Sequence, residues 1–267
     1  MIIHNKKIAI IGCGNLGLSI LNGLLADPNI NPKNITVTKR KTASLEHLAS
    51  TGIQITSDNR KAAQESELLI VALKPYSILE ILGELKDVLD QNRHILVSLA
   101  TGISLKQIQS TINVSLPIFR AMPNTAADVG ESLTCIATTS SDESAKDLVT
   151  QCFNSIGNSI HINEELMDAA TVLGACGIAY VLRFMRGMIQ GGIEIGFDAH
   201  TATTIVTHTV KGAAQLLIER KQHPEHEIDK VTTPKGCTIA GLNEMEHNGF
   251  SSALIKGIVT SYNKIEK

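Results

Sequence analysis

Two hydrophobic rhythms divide the chain. Up to about residue 162, short β-branched runs alternate with stretches of helical spacing; beyond it, apolar positions recur every three to four residues and strand-like alternation does not return. The first rhythm predicts strands at residues 7–11, 35–39, 68–73, 95–99, 118–122 and 133–138, with a weaker one at 159–162. Helices are expected to begin near Asn15, Thr42, Asn59, Ser77, Leu105 and Asp142, each at a turn-forming or capping residue. Such alternation builds βαβ units, so residues 1–162 are expected to form a doubly wound α/β domain on a mainly parallel sheet.

The second rhythm places an all-α domain over residues 163–267. Glu164 and Glu165 suit the positive end of a new helix. Ile178, Val181, Leu182, Met185 and Ile189 fall at helical spacing, as do Val206, Val210, Ala213, Ala214, Leu217 and Ile218 on a further helix, which Pro224 is expected to close. Gly187, Gly191, Gly192 and Gly196 on the earlier helix allow close packing. Arg183, Arg186, Gln190 and Glu194 interrupt its apolar surface, which argues against a membrane span. A domain of this kind is expected to finish its core against another copy of the chain, as a homodimer or a higher homo-oligomer.

Composition narrows the partners. Lys plus Arg number 24 against 26 for Asp plus Glu, so no basic excess serves nucleic acid or anionic lipid. The longest unbroken apolar run, residues 68–73, falls far short of the roughly 20 residues that cross a bilayer, and Gly12 interrupts the only N-terminal run before it could act as a signal core. These features predict a cytoplasmic protein. Five cysteines without a CxxC pair and nine histidines without HExxH spacing give no reason to expect disulfides or a metal.

Candidate chemistry lies in two glycine-bearing turns. Gly12-Cys13-Gly14-Asn15-Leu16-Gly17 follows the first strand and opens a helix, the context in which GxGxxG reads as a dinucleotide-binding turn of the Rossmann type. Gly12 would permit the tight turn, Gly14 the approach of a pyrophosphate, and Gly17 the packing of helix on strand. After the second strand come Lys39, Arg40 and Lys41, where an NAD enzyme would carry Asp or Glu; they favour a 2′-phosphate, so NADPH is expected over NADH. Far down the chain, Thr232-Thr233-Pro234-Lys235-Gly236-Cys237-Thr238 has the form of a helix N-terminus that holds a small anion.

Five segments, in order, carry a resemblance: the GCGNLG turn, Ala72-Leu73-Lys74-Pro75, Arg120-Ala121-Met122-Pro123-Asn124-Thr125, Glu165-Leu166-Met167-Asp168-Ala169 and Thr238-Ile239-Ala240-Gly241-Leu242. Together they resemble the pyrroline-5-carboxylate reductase family over nearly the whole chain. The resemblance implies a Rossmann domain followed by a helical dimerisation domain, with the active site between them. The implied activity is NADPH-dependent reduction of 1-pyrroline-5-carboxylate to L-proline, the last step of proline biosynthesis. By the same resemblance the cofactor contacts the Gly12–Gly17 turn, Lys39 and Arg40, Asn59, Ala72 to Pro75, Ala100-Thr101-Gly102, and Met122-Pro123-Asn124 at the nicotinamide. The substrate carboxylate is assigned to the backbone N–H groups of Gly236, Cys237 and Thr238. Thr233 and Cys176 join the substrate site, and the Thr238 hydroxyl takes the catalytic contact with the ring nitrogen. Such a reduction needs a hydride on carbon and a proton on nitrogen, so no nucleophile, paired carboxylate or metal is called for.

The chain also departs from the family. Where Ser-Gly-Ser-Gly-Pro-Ala-Tyr is usual, it reads Gly174-Ala175-Cys176-Gly177-Ile178-Ala179-Tyr180, which exchanges a hydroxyl for a weaker thiol donor and a helix-opening proline for isoleucine. Lys235 replaces a glycine beside the carboxylate turn, where a positive φ is expected. Two alternatives therefore stay open: a reductase of another cyclic imino acid, and a non-catalytic NADP-binding regulator.

Overall fold

The computed structural model describes residues 2–265. Its strands are β1 (Ile8–Ile11), β2 (Ile35–Thr38), β3 (Gln54–Thr56), β4 (Leu68–Val71), β5 (Ile95–Ser98), β6 (Ile118–Met122), β7 (Ser132–Thr138) and β8 (Gly157–His161). Its helices are α1 (Asn15–Ala26), α2 (Asn59–Glu65), α3 (Pro75–Leu85), α4 (Leu105–Ile112), α5 (Glu143–Asn154), α6 (Met167–Ala170), α7 (Gly177–Glu194), α8 (Ala199–Arg220), α9 (Pro224–Val231), α10 (Cys237–His247) and α11 (Phe250–Asn263). Thr42–Thr51, expected to be helical, forms 3-10 turns, and Thr171–Cys176 between α6 and α7 is π-helical.

All eight strands form one sheet in the order β3-β2-β1-β4-β5-β6-β7-β8, parallel except where β6 meets β7. That exception follows from the chain: only a short 3-10 segment, Thr125–Val129, joins those strands, too little for a crossover. β1 and β4 consist wholly of buried apolar residues, as central parallel strands covered on both faces require. Side-chain alternation splits β1 between two cores. Ile8 and Ile10 join Ile20, Leu21 and Leu24 of α1 and Phe153 of α5, while Ala9 and Ile11 join Ile78, Leu82, Leu105 and Ile108 of α3 and α4.

Among the described residues the chain divides into two compact units, 2–176 with Ile265 and 177–264. In the second unit, Ala202 and Val206 are the buried apolar residues among those described, while Leu182, Phe184, Ile195, Phe197, Ile218, Phe250 and Ile255 stay exposed. Of the four glycines expected to bring helices together, Gly192 does so among the described residues of one chain, where a Cβ would lie 3.2 Å from Ala202 Cβ. Gly196 lies beyond α7 at φ +113° and stops it, with the Phe197 N–H donating to Gly192 O. Pro224 does not close α8. That helix ends at Arg220 on a left-handed Lys221 (φ +52°), and Pro224 instead opens α9 at the position where its missing N–H costs nothing. The helical run Glu164–Glu194, 31 residues, is long and apolar enough to cross a membrane by length and composition.

Candidate active site

β1 ends at Ile11 and the backbone reverses at Gly12, whose φ of +92° is left-handed. A Cβ there would lie 2.5 Å from Leu73 Cδ2 and 2.9 Å from the Ala72 carbonyl oxygen. The end of β2 forms the floor of the turn: the Gly12 N–H donates to Thr38 Oγ1 at 3.1 Å and the Cys13 N–H to Thr38 O at 2.7 Å. Gly17 lets α1 settle on the turn, since a Cβ would stand 3.0 Å from Gly12 O and 3.2 Å from Ile10 Cγ2. Gly14 is different. Nothing lies within 4 Å of its Cβ position, and as N-cap of α1 it offers no side chain, so the first-turn amides remain free.

Those amides face a cavity of about 610 Å³, lined by Gly14, Asn15 and Leu16 of the turn, Ala72 to Pro75 after β4, Thr101 after β5, and Pro123 and Asn124 after β6. It opens at the carboxyl ends of β1 and β4, adjacent strands from which the chain departs in opposite directions, the usual crevice of doubly wound sheets. Of the other residues assigned to the cofactor, Gly12, Cys13 and Gly17 build the turn, while Ala100, Gly102 and Met122 adjoin lining residues. The cavity also takes in Ser19, Leu99 and Asp128, which the motifs did not mark, and Thr125 and Ala175, which lie in the quoted motifs without having been assigned to the cofactor. The Ser19 hydroxyl, buried in α1, donates to the Asp128 carboxylate and so ties the Thr125–Val129 turn to that helix.

Lys39, Arg40 and Asn59 stand apart from this cavity, at the neighbouring ends of β2 and β3. The Lys39 N–H donates to Thr56 O, and Asn59 opens α2 behind Asp58, which caps it through Lys61 N–H. Lys39 is half-buried, Arg40 and Lys41 exposed, and among the described residues none has a carboxylate within ion-pair reach. Burial pushes the Cys13 thiol above its ordinary pKa, against the pull of the Lys39 charge; the buried Cys152 is pushed up to about 12.

The end of β6 is held on both sides. Asn124 donates its N–H to Ser132 Oγ, accepts from the Ala126 N–H, and through Nδ2 donates to Gly174 O at 3.2 Å in the π-helical segment. Cys176, half-buried, ends that segment next to Ala175. Upstream, Arg120 is buried and pairs with Glu164, whose Oε1 also accepts the Leu105 N–H at 2.6 Å. Glu164 thus serves the start of α4 as well as its own helix. The sequence signal was there in a lone cation within the apolar run Ile118–Met122.

In the second unit, Thr233 to Gly236 form a tight turn into α10. The Gly236 N–H donates to Thr233 O at 2.9 Å, and a Cβ on Gly236 would meet Thr233 Oγ1 at 2.6 Å and that oxygen at 2.9 Å. Lys235 adopts φ +60°, the left-handed geometry that a glycine takes without strain. Gly236 is the N-cap and provides no side-chain cap, so the Cys237 and Thr238 amides lack partners within the helix. Cys237 is exposed and Thr238 half-buried.

Residues 164–267 match the family described as pyrroline-5-carboxylate reductase dimerisation, and residues 7–102 match NADP oxidoreductase, coenzyme F420-dependent. The chain is 45% identical over 276 residues to pyrroline-5-carboxylate reductase 1 of Dictyostelium discoideum, covering 99% of itself and half the length of that relative. Against pyrroline-5-carboxylate reductase 2 of the same organism it is 43% identical, covering 99% of itself and 93% of the relative. The solved pyrroline-5-carboxylate reductase from Coxiella burnetii superimposes with a TM-score of 0.91 at 28% identity, over 97% of each chain. The matches describe an NADP oxidoreductase domain followed along the chain by a helical dimerisation domain, and the structure has a doubly wound unit followed along the chain by a helical one. The chain belongs to the pyrroline-5-carboxylate reductase family.

Proposed function

We propose that this protein reduces 1-pyrroline-5-carboxylate to L-proline, with NADPH preferred over NADH. The observation that carries the reading is Gly14: an uncapped helix N-terminus with open space before it, in a switch-point cavity, in a chain of this family. The residues present fit a dinucleotide phosphate, since the first-turn amides suit its pyrophosphate and the unpaired Lys39, Arg40 and Lys41 suit a 2′-phosphate. NADPH, when bound, supplies the hydride that adds to the imine carbon.

The chain does the positioning. The free amides of Cys237 and Thr238 hold the substrate carboxylate, with Gly236 and Thr233 fixing the turn that aims them. The ring nitrogen takes its proton from solvent, giving the iminium that accepts the hydride, and the Thr238 hydroxyl hydrogen-bonds to that nitrogen and orients it. Cys176 and the Met122 to Asn124 segment, with Ala72 to Pro75 and Thr101, confine the reacting ring and ribose. Solubility, a cytoplasmic location and assembly without a membrane belong to the same proposal; five free thiols and the charges Arg183, Arg186 and Glu194 in the longest apolar helix support it. Purified protein should oxidise NADPH in the presence of 1-pyrroline-5-carboxylate, and Thr238→Ala should lower kcat about tenfold or more. Absence of turnover with this substrate would overturn the reading. Lys235 and Cys176 favour one second reading, a different cyclic imino acid, which a higher kcat/KM on the six-membered analogue would establish.

A further inference from the structure

We propose that Arg120 is a positioning residue, setting the register in which the helical run beginning at Glu164 presents Ala175 and Cys176 to the cofactor cavity. The proposal rests on the preceding reading insofar as Cys176 belongs to the substrate site. Strand alternation puts Arg120 and Met122 on the same face of β6. Only 7% of the Arg120 side chain is exposed, so its charge must be answered locally. Nη1 donates to Glu164 Oε1 at 3.1 Å, and Asp168, one turn further along, has Oδ1 3.9 Å from Nη2. Nε and Nη2 are buried without a hydrogen-bond partner among the described residues.

Arg120 therefore grips the first turn of the helical run, and Asn124 grips it again at Gly174 O. Between the two grips Met167, Thr171 and Val172 are buried. The π-helical segment Thr171–Cys176 shifts the helix phase relative to α-helix, so the residue that reaches the cavity depends on where the run is pinned. Ala175 lines the cavity and Cys176 follows it. Stability alone does not account for the arrangement, because a guanidinium with two unmet donors holds a helix no better than a well-packed apolar side chain would.

The test uses full-length Arg120→Met and Arg120→Lys, read by melting temperature, NADPH affinity and steady-state kinetics on 1-pyrroline-5-carboxylate. In Arg120→Met the melting temperature and NADPH affinity should stay within about twofold or a few degrees of wild type, while KM for the imine rises about tenfold with kcat little changed. Arg120→Lys, whose ammonium still reaches Glu164, should recover most of that loss. An unchanged KM in folded Arg120→Met, or a rise in KM matched by parallel losses of melting temperature and cofactor affinity, overturns the proposal. If Arg120→Met does not fold, Glu164→Ala removes the same grip from a partly exposed position, and an unchanged KM there overturns it equally. If wild type itself fails to turn over the imine, the functional reading falls, and register is read from Cys176 alkylation by iodoacetamide. A severalfold rate change in the variant supports the grip and an unchanged rate overturns it.

Discussion

One methyl group separates the glycines of the first turn. Gly14→Ala adds a Cβ into open space, so stability should hold while NADPH affinity falls about tenfold or more, as titration of cofactor fluorescence would show. Gly12→Ala should do the reverse first: its left-handed φ and the Ala72 carbonyl 2.9 Å away should lower unfolding free energy by about 3 kcal/mol in urea. Those two outcomes would assign ligand and fold to different atoms of one motif. His94 makes a second residue-scale case. Burial lowers its pKa, reinforced by Arg93 and opposed by its hydrogen bonds and by Asp90. Nδ1 accepts the Asp90 N–H, and Nε2 meets Ala63 O at 3.1 Å, an arrangement of the neutral ring. Because the unfolded chain takes the proton more readily, this contribution is complete above about pH 6.5 and is lost as pH falls from there toward the lower folded value. Urea midpoints at several pH values should show that loss in wild type, and His94→Gln should flatten it.

Elements were legible where periodicity acts alone and obscure where pairing or phase decides. The central strands could be placed to within a residue or two because Ile8–Ile11 and Leu68–Val71 are apolar without interruption. β3 was not, since Gln54–Thr56 is short and half-exposed and becomes a strand only by pairing with β2. Proline misled once, at Pro224. It occupies a first helical position, as Pro75 does in α3, so α8 ends without a proline. Ile178 lies inside a continuous helical run rather than at its start, so its N–H has a use that the family's proline would forgo. The π-helical segment leaves no mark on the sequence, because its i to i+5 bonds need no particular residue. The glycine turn of the candidate site was readable, and its unmarked part, Ser19, Leu99 and Asp128, comes from elements that only tertiary packing brings to the cavity. At the end of α8, Lys221→Gly should raise unfolding free energy by about 1 kcal/mol by relieving the left-handed backbone, measurable as a higher melting temperature.

For the whole molecule, the decisive fact is how little the helical unit buries within one chain. Association through that unit covers its apolar faces, so melting temperature should rise with protein concentration, and Leu182→Glu should shift light-scattering mass toward monomer and melt the helical half first. A two-fold interface presents the same patch from both copies. Every coding change on that face is consequently made in duplicate within one assembly, so a substitution worth a modest amount in one chain weighs twice in the balance. Sequence drift there is constrained as if each position were two, and because association follows mass action, the abundance of the protein enters how much of that drift it tolerates.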